Sequence, residues 1–342
     1  MKSTLLYIHA RSPLHAGTGQ GLGGIDLPIA REKATHIPYL PGSSLKGTLR
    51  DAYQETVLAK IEKDSPELNK EQREKESQKS VWPIFGPDTN NASDHAGAVQ
   101  FGDARLLFLP VRSLAGTFAL VTSPFLLERY REDALEAGLF EEKSILKGKK
   151  SSKILIEDQS KCRTCSGALI AANEQVFLED LNFTRQNFIP DVLEKATGDS
   201  SEKKQTCDPL PIWSKHLHEV LPNLSLEQHL CVVHDDVMSF LLETATEVVA
   251  RIKLQDATKT VASGGLWYEE SLPAESVLYS LVLISSARGQ HKMPAEKIGE
   301  ALEHTSGKLV QLGGKATVGR GLCRLYWSPE IKSETGVVQV PK

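Results

Sequence analysis

A chain of 342 residues with 40% hydrophobic content holds apolar material for one large core or two modest ones, and none of its apolar runs approaches the ~20 residues of a membrane-spanning helix. The formal net charge of -4 excludes the overall basic footprint typical of a nucleic-acid binder, so any basic surface must be local. Five scattered cysteines argue against a disulfide framework, and the short LLYI ahead of His9 and Arg11 is no secretory h-region, so the expectation is a cytoplasmic protein with no membrane partner.

In chain order, STLLYIHA (residues 3–10) alternates and predicts a strand. HAGTGQGLGGIDLP (residues 15–28) then places five glycines between Gly17 and Gly24 ahead of a lone carboxylate, Asp26. Gly19, Gly21 and Gly24 satisfy G-x-G-x-x-G, but a dinucleotide loop opens directly into a helix, whereas here Pro28 intervenes and helical periodicity returns only near Ser43. From there Leu45, Leu49, Tyr53, Val57 and Ile61 recur at steps of four, predicting an amphipathic helix capped by Ser43 or Ser44. Residues 62–80 are almost wholly charged or polar and read as a solvated or mobile insertion reaching to about residue 95. GAVQFGDARLLFLPV and GTFALVTS predict two strands, and PFLLERYREDALEAG a helix with Pro124 near its start.

Between 142 and 211 the periodicity breaks into Lys-, Ser- and Asp-rich pieces, which predicts a protruding insertion outside the core. Strand, short helix and strand resume near residue 230, followed by TVASGGLWYEESLP, the strand SVLYSLVLISS, a helix PAEKIGEALEHTSGKLVQL and the stretch GGKATVGRGLCRLYW. Strand-helix-strand units in both halves predict an α+β fold with two ferredoxin-like lobes.

Several residues carry chemistry. Glycines such as Gly17, Gly19 and Gly21 let backbone approach a phosphate chain, although such a loop is ordinarily just a mobile turn, and a loop aspartate like Asp26 ordinarily caps one. PGSSLKGTLR offers a helix N-terminus, the hydroxyls of Ser43 and Ser44, and Lys46 and Arg50 one turn apart, a set suited either to a phosphate or to a plain surface helix. Gly314 and Gly319 have the G-x-x-x-x-G spacing, but Arg320 and Gly321 follow where a Walker loop needs Lys and Ser or Thr; Lys315 and Arg320 remain as cations on a flexible backbone. His15 is read as a packing residue or a catalytic aid, and Glu269 and Glu270 as structural or as an additional carboxylate near the site. Cys162 and Cys165, with Cys207 and His216 or His218, have the chemistry of zinc ligands, yet one C-x-x-C lacks a second spaced pair and free thiols are the default.

HAGTGQGLGGIDLPIARE, PYLPGSSLKGTLR, FGDARLLFLPVRSLAGTF, LWYEESLP and LGGKATVGRGLCRL resemble, in order and nearly end to end, the backbone subunits of Cmr (type III-B) CRISPR effector complexes, within the RAMP superfamily. The resemblance implies a modified RNA-recognition-type palm with a projecting thumb. Copies of the subunit would stack along a guide RNA beside other Cmr subunits, cutting complementary target RNA once each. It aligns the family's catalytic aspartate with Asp26 and makes Gly17, Gly19, Gly21, Ser43, Ser44, Lys46, Arg50, Gly314, Lys315 and Arg320 candidate RNA contacts. One carboxylate holds no two-metal site, so Mg²⁺ or Mn²⁺ is expected to be recruited weakly, through water and RNA phosphates. The expected division is a palm from 1–141 and 212–342, with its second glycine loop at 313–321, and a thumb at 142–211. The competing readings are a non-cleaving guide scaffold of a Cmr or Csm complex and an unrelated metal-dependent small-molecule enzyme.

Overall fold

The first strand, β1 (Lys2–Ala10), is apolar on both faces: Leu6 and Ile8 enter one hydrophobic layer and Leu5 and Tyr7 the other. Such a strand belongs in the middle of a covered sheet. In the computed structural model, which describes residues 1–21, 23–88, 96–188, 207–288 and 292–329, that is where it lies. The other strands are β2 (Tyr39–Leu40), β3 (Val99–Phe101), β4 (Ala104–Arg112), β5 (Phe118–Thr122), β6 (Lys161–Thr164), β7 (Gln175–Leu178) and β8 (Leu181–Arg185). After them come β9 (Leu230–Val233), β10 (Glu247–Leu254), β11 (Val261–Ser271), β12 (Val277–Ile284), β13 (Leu309–Gln311) and β14 (Leu322–Trp327). Among the described residues, 12 strands form one mixed sheet, ordered β13-β14-β1-β12-β4-β5-β9-β6-β8-β7, with β2 beside β4 and β3 beside β12. β10 and β11 stand apart as a two-stranded ribbon.

One face of the sheet is covered by α1 (Gly42–Asp64), the end of α2 (Lys70–Phe85), and helices Asp235–Thr244 and Ala295–Glu303, through Leu45, Leu49, Phe85, Leu241 and Leu302. The other face carries α3 (Pro124–Glu136) and helix Pro209–Val220, with Tyr130 and Trp213 fully buried. Among the described residues no helix is long and apolar enough to cross a membrane, and all five cysteines are free.

The structure departs from the sequence reading in several places. The strands of both halves share one sheet, because β1 takes β12 and β14 as its antiparallel neighbours; they do not close into two lobes. The α1 cap is neither Ser43 nor Ser44. The helix starts at Gly42, after Pro41, and the Gly42 N–H donates to Asp103 Oδ1 at 2.8 Å, so a carboxylate distant in sequence supplies the cap. Asp103→Ala is therefore expected to lower stability by about 1 kcal/mol, read as a fall in the denaturation midpoint, while Ser43→Ala changes it by less than about 0.5 kcal/mol.

Part of the charged stretch expected to be mobile is helix α2, nucleated by a capping box in which Asn69 Oδ1 accepts from the Gln72 N–H and Gln72 Oε1 from the Asn69 N–H. Ion pairs such as Arg73–Glu62 and Lys75–Glu71 lace it, and Val81, Ile84 and Phe85 bury its end. Residues 89–95 of that stretch lie outside the described residues. The helix expected over 294–312 stops at Glu303, since Gly307 takes a positive φ of 74° and Leu309–Gln311 pairs with β14. The segment expected to protrude at 142–211 supplies β6, β7 and β8 to the sheet and Cys162, Leu169, Val176 and Phe183 to the core, while its residues 189–206 lie outside the described residues. Short apolar runs at strand period had concealed that burial among polar turns.

Candidate nucleic-acid interface and active site

The glycine loop leaves β1 and doubles back on itself. Ala30 N–H donates to Ala16 O at 2.7 Å, Thr18 N–H to Pro28 O at 3.3 Å, and Gly21 N–H to Asp26 O at 2.8 Å, which sets Asp26 near the tip. The returning limb lies along β11: Leu27 N–H donates to Tyr268 O at 3.0 Å and Glu270 N–H to Leu27 O at 3.0 Å. Asp26 itself is exposed, and its Oδ2 accepts the Tyr268 N–H at 2.7 Å. The loop is thus a fastened platform, and its carboxylate faces solvent with one oxygen oriented.

His15 is buried at the base of this platform. Its Nδ1 lies 2.6 Å from Glu270 O; a carbonyl only accepts, so Nδ1 carries the proton. The rest of the ring is held between glycines. A Cβ on Gly17 would sit 2.5 Å from His15 Nε2, and one on Gly314 3.3 Å from its Cδ2. His15 is accordingly a joint between the Asp26 loop, β11 and the loop at 313–321, whose Gly314 N–H donates to His15 O at 2.9 Å.

Neither neighbouring glutamate is a free carboxylate. Glu270, 3% exposed, accepts Arg31 Nη2 at 2.6 Å and Thr246 Oγ1 at 3.0 Å on Oε1, and the Ile29 N–H at 3.1 Å on Oε2. Glu269 accepts Lys315 Nζ at 2.8 Å and Trp267 Nε1 at 2.7 Å, with Arg251 Nε at 3.3 Å. Burial alone pushes the Glu269 carboxyl up, but the hydrogen bonds from Lys315 and Trp267 and the charges of Lys315 and Arg251 outweigh it and hold the pKa down at about 2. A depressed carboxylate stabilises the fold above its ordinary range, so this contribution is present at neutral pH and fades as pH falls from that range toward about 2.

The candidate RNA cations are mostly engaged. Lys315 pairs with Glu269, Arg320 with Glu247 at 3.0 Å, and Arg50 with Asp88. Lys46 is half-buried and has no such partner among the described residues. Ser43, Ser44, Lys46 and Arg50 ride on α1, which no hydrogen bond or ion pair joins to the glycine loop among the described residues. The structure therefore brings together His15, Gly17, Asp26, Glu269, Glu270, Gly314 and Lys315, and leaves the α1 set as a separate surface.

The zinc candidates disperse. Cys162 and Cys165 straddle the end of β6 and enter opposite core layers, as residues three apart on an extended chain do. Burial pushes the Cys165 thiol up to about 11 and the His216 imidazole down to about 4, and His216 Nε2 lies 2.9 Å from the Tyr130 hydroxyl. Cys207 is exposed, and His218 Nδ1 bonds to Leu224 O at 3.3 Å. Among the described residues no three His, Cys, Asp or Glu side chains gather closely enough to hold a metal ion.

Sequence reasoning missed Arg31, Thr246, Glu247, Arg251, Trp267 and Tyr268, all near the ribbon. The available signal was a polar turn, QDATKT, between two alternating runs. On one ribbon face Ala250 is opposite Tyr268, Ile252 opposite Leu266 and Leu254 opposite Val261, and apart from the small Ala250 these are exposed large apolar side chains. The other face carries Arg251, Trp267 and Glu269.

A large mixed sheet covered by helices on both faces, with a separate two-stranded ribbon, defines a mixed α/β protein. The RAMP superfamily model matches residues 7–324, and the chain belongs to that superfamily. It is 33% identical to the Cmr endoribonuclease Cmr4 of Pyrococcus furiosus, over 95% of either chain. The crystal structure of oligomeric Cmr4 from Pyrococcus furiosus superposes with a TM-score of 0.61 at 25% identity, covering 96% of this chain and 98% of that one. A chain in the cryo-EM structure of the type III-B Cmr-beta complex bound to cognate target RNA shares the fold, with a TM-score of 0.66 at 20% identity over 96% and 98% of the two chains.

Proposed function

We propose that this chain is a cytoplasmic RNA-guided endoribonuclease subunit of a type III-B complex: copies of it stack along a CRISPR guide RNA beside other Cmr subunits, and each cuts complementary target RNA once. The observation that carries the reading is Asp26, an exposed carboxylate on a fastened glycine platform, in a chain related over its whole length to an enzyme named as an endoribonuclease. With Oδ2 held by the Tyr268 N–H, the other oxygen is available to accept the 2′-hydroxyl proton of an unstacked ribose. The 2′-oxygen then attacks the adjacent phosphorus in line, the 5′-oxygen leaves and takes a proton from water, and a 2′,3′-cyclic phosphate remains.

One unshared carboxylate does not make a resident metal site, because Glu269 and Glu270 are consumed by Lys315, Arg251 and Arg31. Mg²⁺ or Mn²⁺ would arrive on the RNA phosphates, with Asp26 as the chain's own contribution. The strand order β14-β1-β12-β4, with α1 between β1 and β4 and helix Ala295–Glu303 between β12 and β14, supports a modified ferredoxin-like palm built from 1–141 and 212–342. The ribbon β10-β11 fits the thumb role better than 142–211, whose strands lengthen the sheet.

Guide-loaded complex incubated with complementary RNA and Mg²⁺ should give evenly spaced products on a denaturing gel; intact target under saturating binding would leave only the non-cleaving scaffold. Lys46→Ala should weaken binding about equally for unrelated guides and reduce the salt slope of log K by roughly one, since a phosphate contact carries no sequence information. An unchanged slope removes Lys46 from the RNA surface.

A further inference from the structure

We infer that Glu270 is the positioning residue for Asp26, fastening the Asp26 loop to the base of the β10-β11 ribbon so that loop and ribbon move as one body. This inference rests on the proposed role of Asp26 and goes a step beyond it. Four contacts carry it. The Glu270 carbonyl holds His15 at the start of the loop (2.6 Å), its N–H holds Leu27 O on the returning limb (3.0 Å), its Oε2 holds the Ile29 N–H (3.1 Å), and its Oε1 holds Arg31 Nη2 (2.6 Å). One residue thus grips both limbs of the loop, on either side of Asp26. Arg31 extends the grip, since its Nη2 also donates to Leu242 O at 2.8 Å and its Nη1 to His36 O at 2.9 Å.

The ribbon end of the fastening is equally specific. Thr246, just before β10, donates to the same Oε1 at 3.0 Å, and Tyr268, two residues ahead of Glu270 on β11, holds Asp26 itself. A buried carboxylate with its charge matched by one guanidinium and both oxygens hydrogen-bonded is costly to assemble and intolerant of deletion, which suits a part that must hold geometry. In its absence the Asp26 loop keeps its internal bonds and the Leu27 pairing but loses the side-chain anchor on its returning limb.

The test uses the full chain and the reconstituted guide-loaded complex, with Glu270→Gln, Glu270→Ala and Arg31→Gln. Glu270→Gln keeps an oxygen for the Ile29 N–H but loses the charge facing Arg31, so it stays informative should Glu270→Ala fail to fold. In the full chain, amide exchange of Ile29 and its neighbours should rise by about tenfold or more in the variants while β1 and β12 stay protected. In the complex, target binding should stay within about twofold of wild type, and single-turnover cleavage of saturating target should fall by about tenfold for Glu270→Gln and about a hundredfold for Glu270→Ala, because a misplacement near 1 Å carries that penalty. Arg31→Gln should follow Glu270→Gln.

Loop exchange unchanged, or cleavage lost only in step with target binding, overturns the positioning role. Asp26→Asn in the same assay separates the two readings. An inactive Asp26→Asn beside a fully active Glu270→Ala overturns the positioning role alone, whereas cleavage surviving Asp26→Asn overturns the catalytic reading on which it rests.

Discussion

Asp26→Asn is expected to leave guide assembly and target binding intact and to lower target cleavage by at least about a hundredfold, the lower range of a lost general base. The side chain is exposed, and its one hydrogen bond among the described residues runs from the Tyr268 N–H to Oδ2. An asparagine amide oxygen accepts that bond equally well, so the platform keeps its shape. What disappears is the negative charge and the capacity to take a proton. The neighbouring carboxylates do not substitute, because Glu269 is bound to Lys315 and Arg251 and Glu270 to Arg31. The measurement compares binding and cleavage by wild type and variant in otherwise identical complexes. Retained cleavage removes the catalytic assignment, and joint loss of binding and cleavage makes Asp26 a structural residue of the loop.

Gly321→Ala is expected to destabilise the protein by about 3 kcal/mol, combining a left-handed backbone with overpacking. Gly321 has φ 72°, and a Cβ there would lie 1.9 Å from Leu312 O, a backbone atom that cannot swing away. Its own N–H donates to Pro13 O and its carbonyl accepts from Leu312 N–H, both at 2.8 Å, so a shift would also break the seam between the 313–321 loop and the end of β1. Gly23→Ala and Gly24→Ala supply the contrast. A Cβ at either meets nothing within 4 Å, and a change under about 0.5 kcal/mol is expected. Denaturant titrations of the three variants decide the matter: equal stability would show that the 313–321 loop gives way freely.

Sequence period fixed the elements whose burial is local. β1 and β12 are short, nearly continuous apolar runs, α3 carries Leu126, Tyr130 and Ala134 at helical spacing, and Ser123 caps α3 from the adjacent position, so nothing distant was needed to read them as strands and helix. The glycine run and Asp26 were legible as a motif for the same reason, being contiguous. The site around them was not, because Tyr268 and Glu270 reach the loop across more than 200 residues of chain, and periodicity reports that a face is buried without saying against what. Charge was misread similarly. Lys315, Arg320 and Arg50 look like free cations in sequence, but folding places Glu269, Glu247 and Asp88 against them, and a cation's availability depends on the carboxylate within reach. The sequence by itself placed Asp26 in a contiguous glycine loop and marked β1, β4, β5 and β12 as strands. Only the tertiary structure decided what holds that carboxylate in place and which cations remain unpaired, since both depend on distances between segments that the order of residues does not encode.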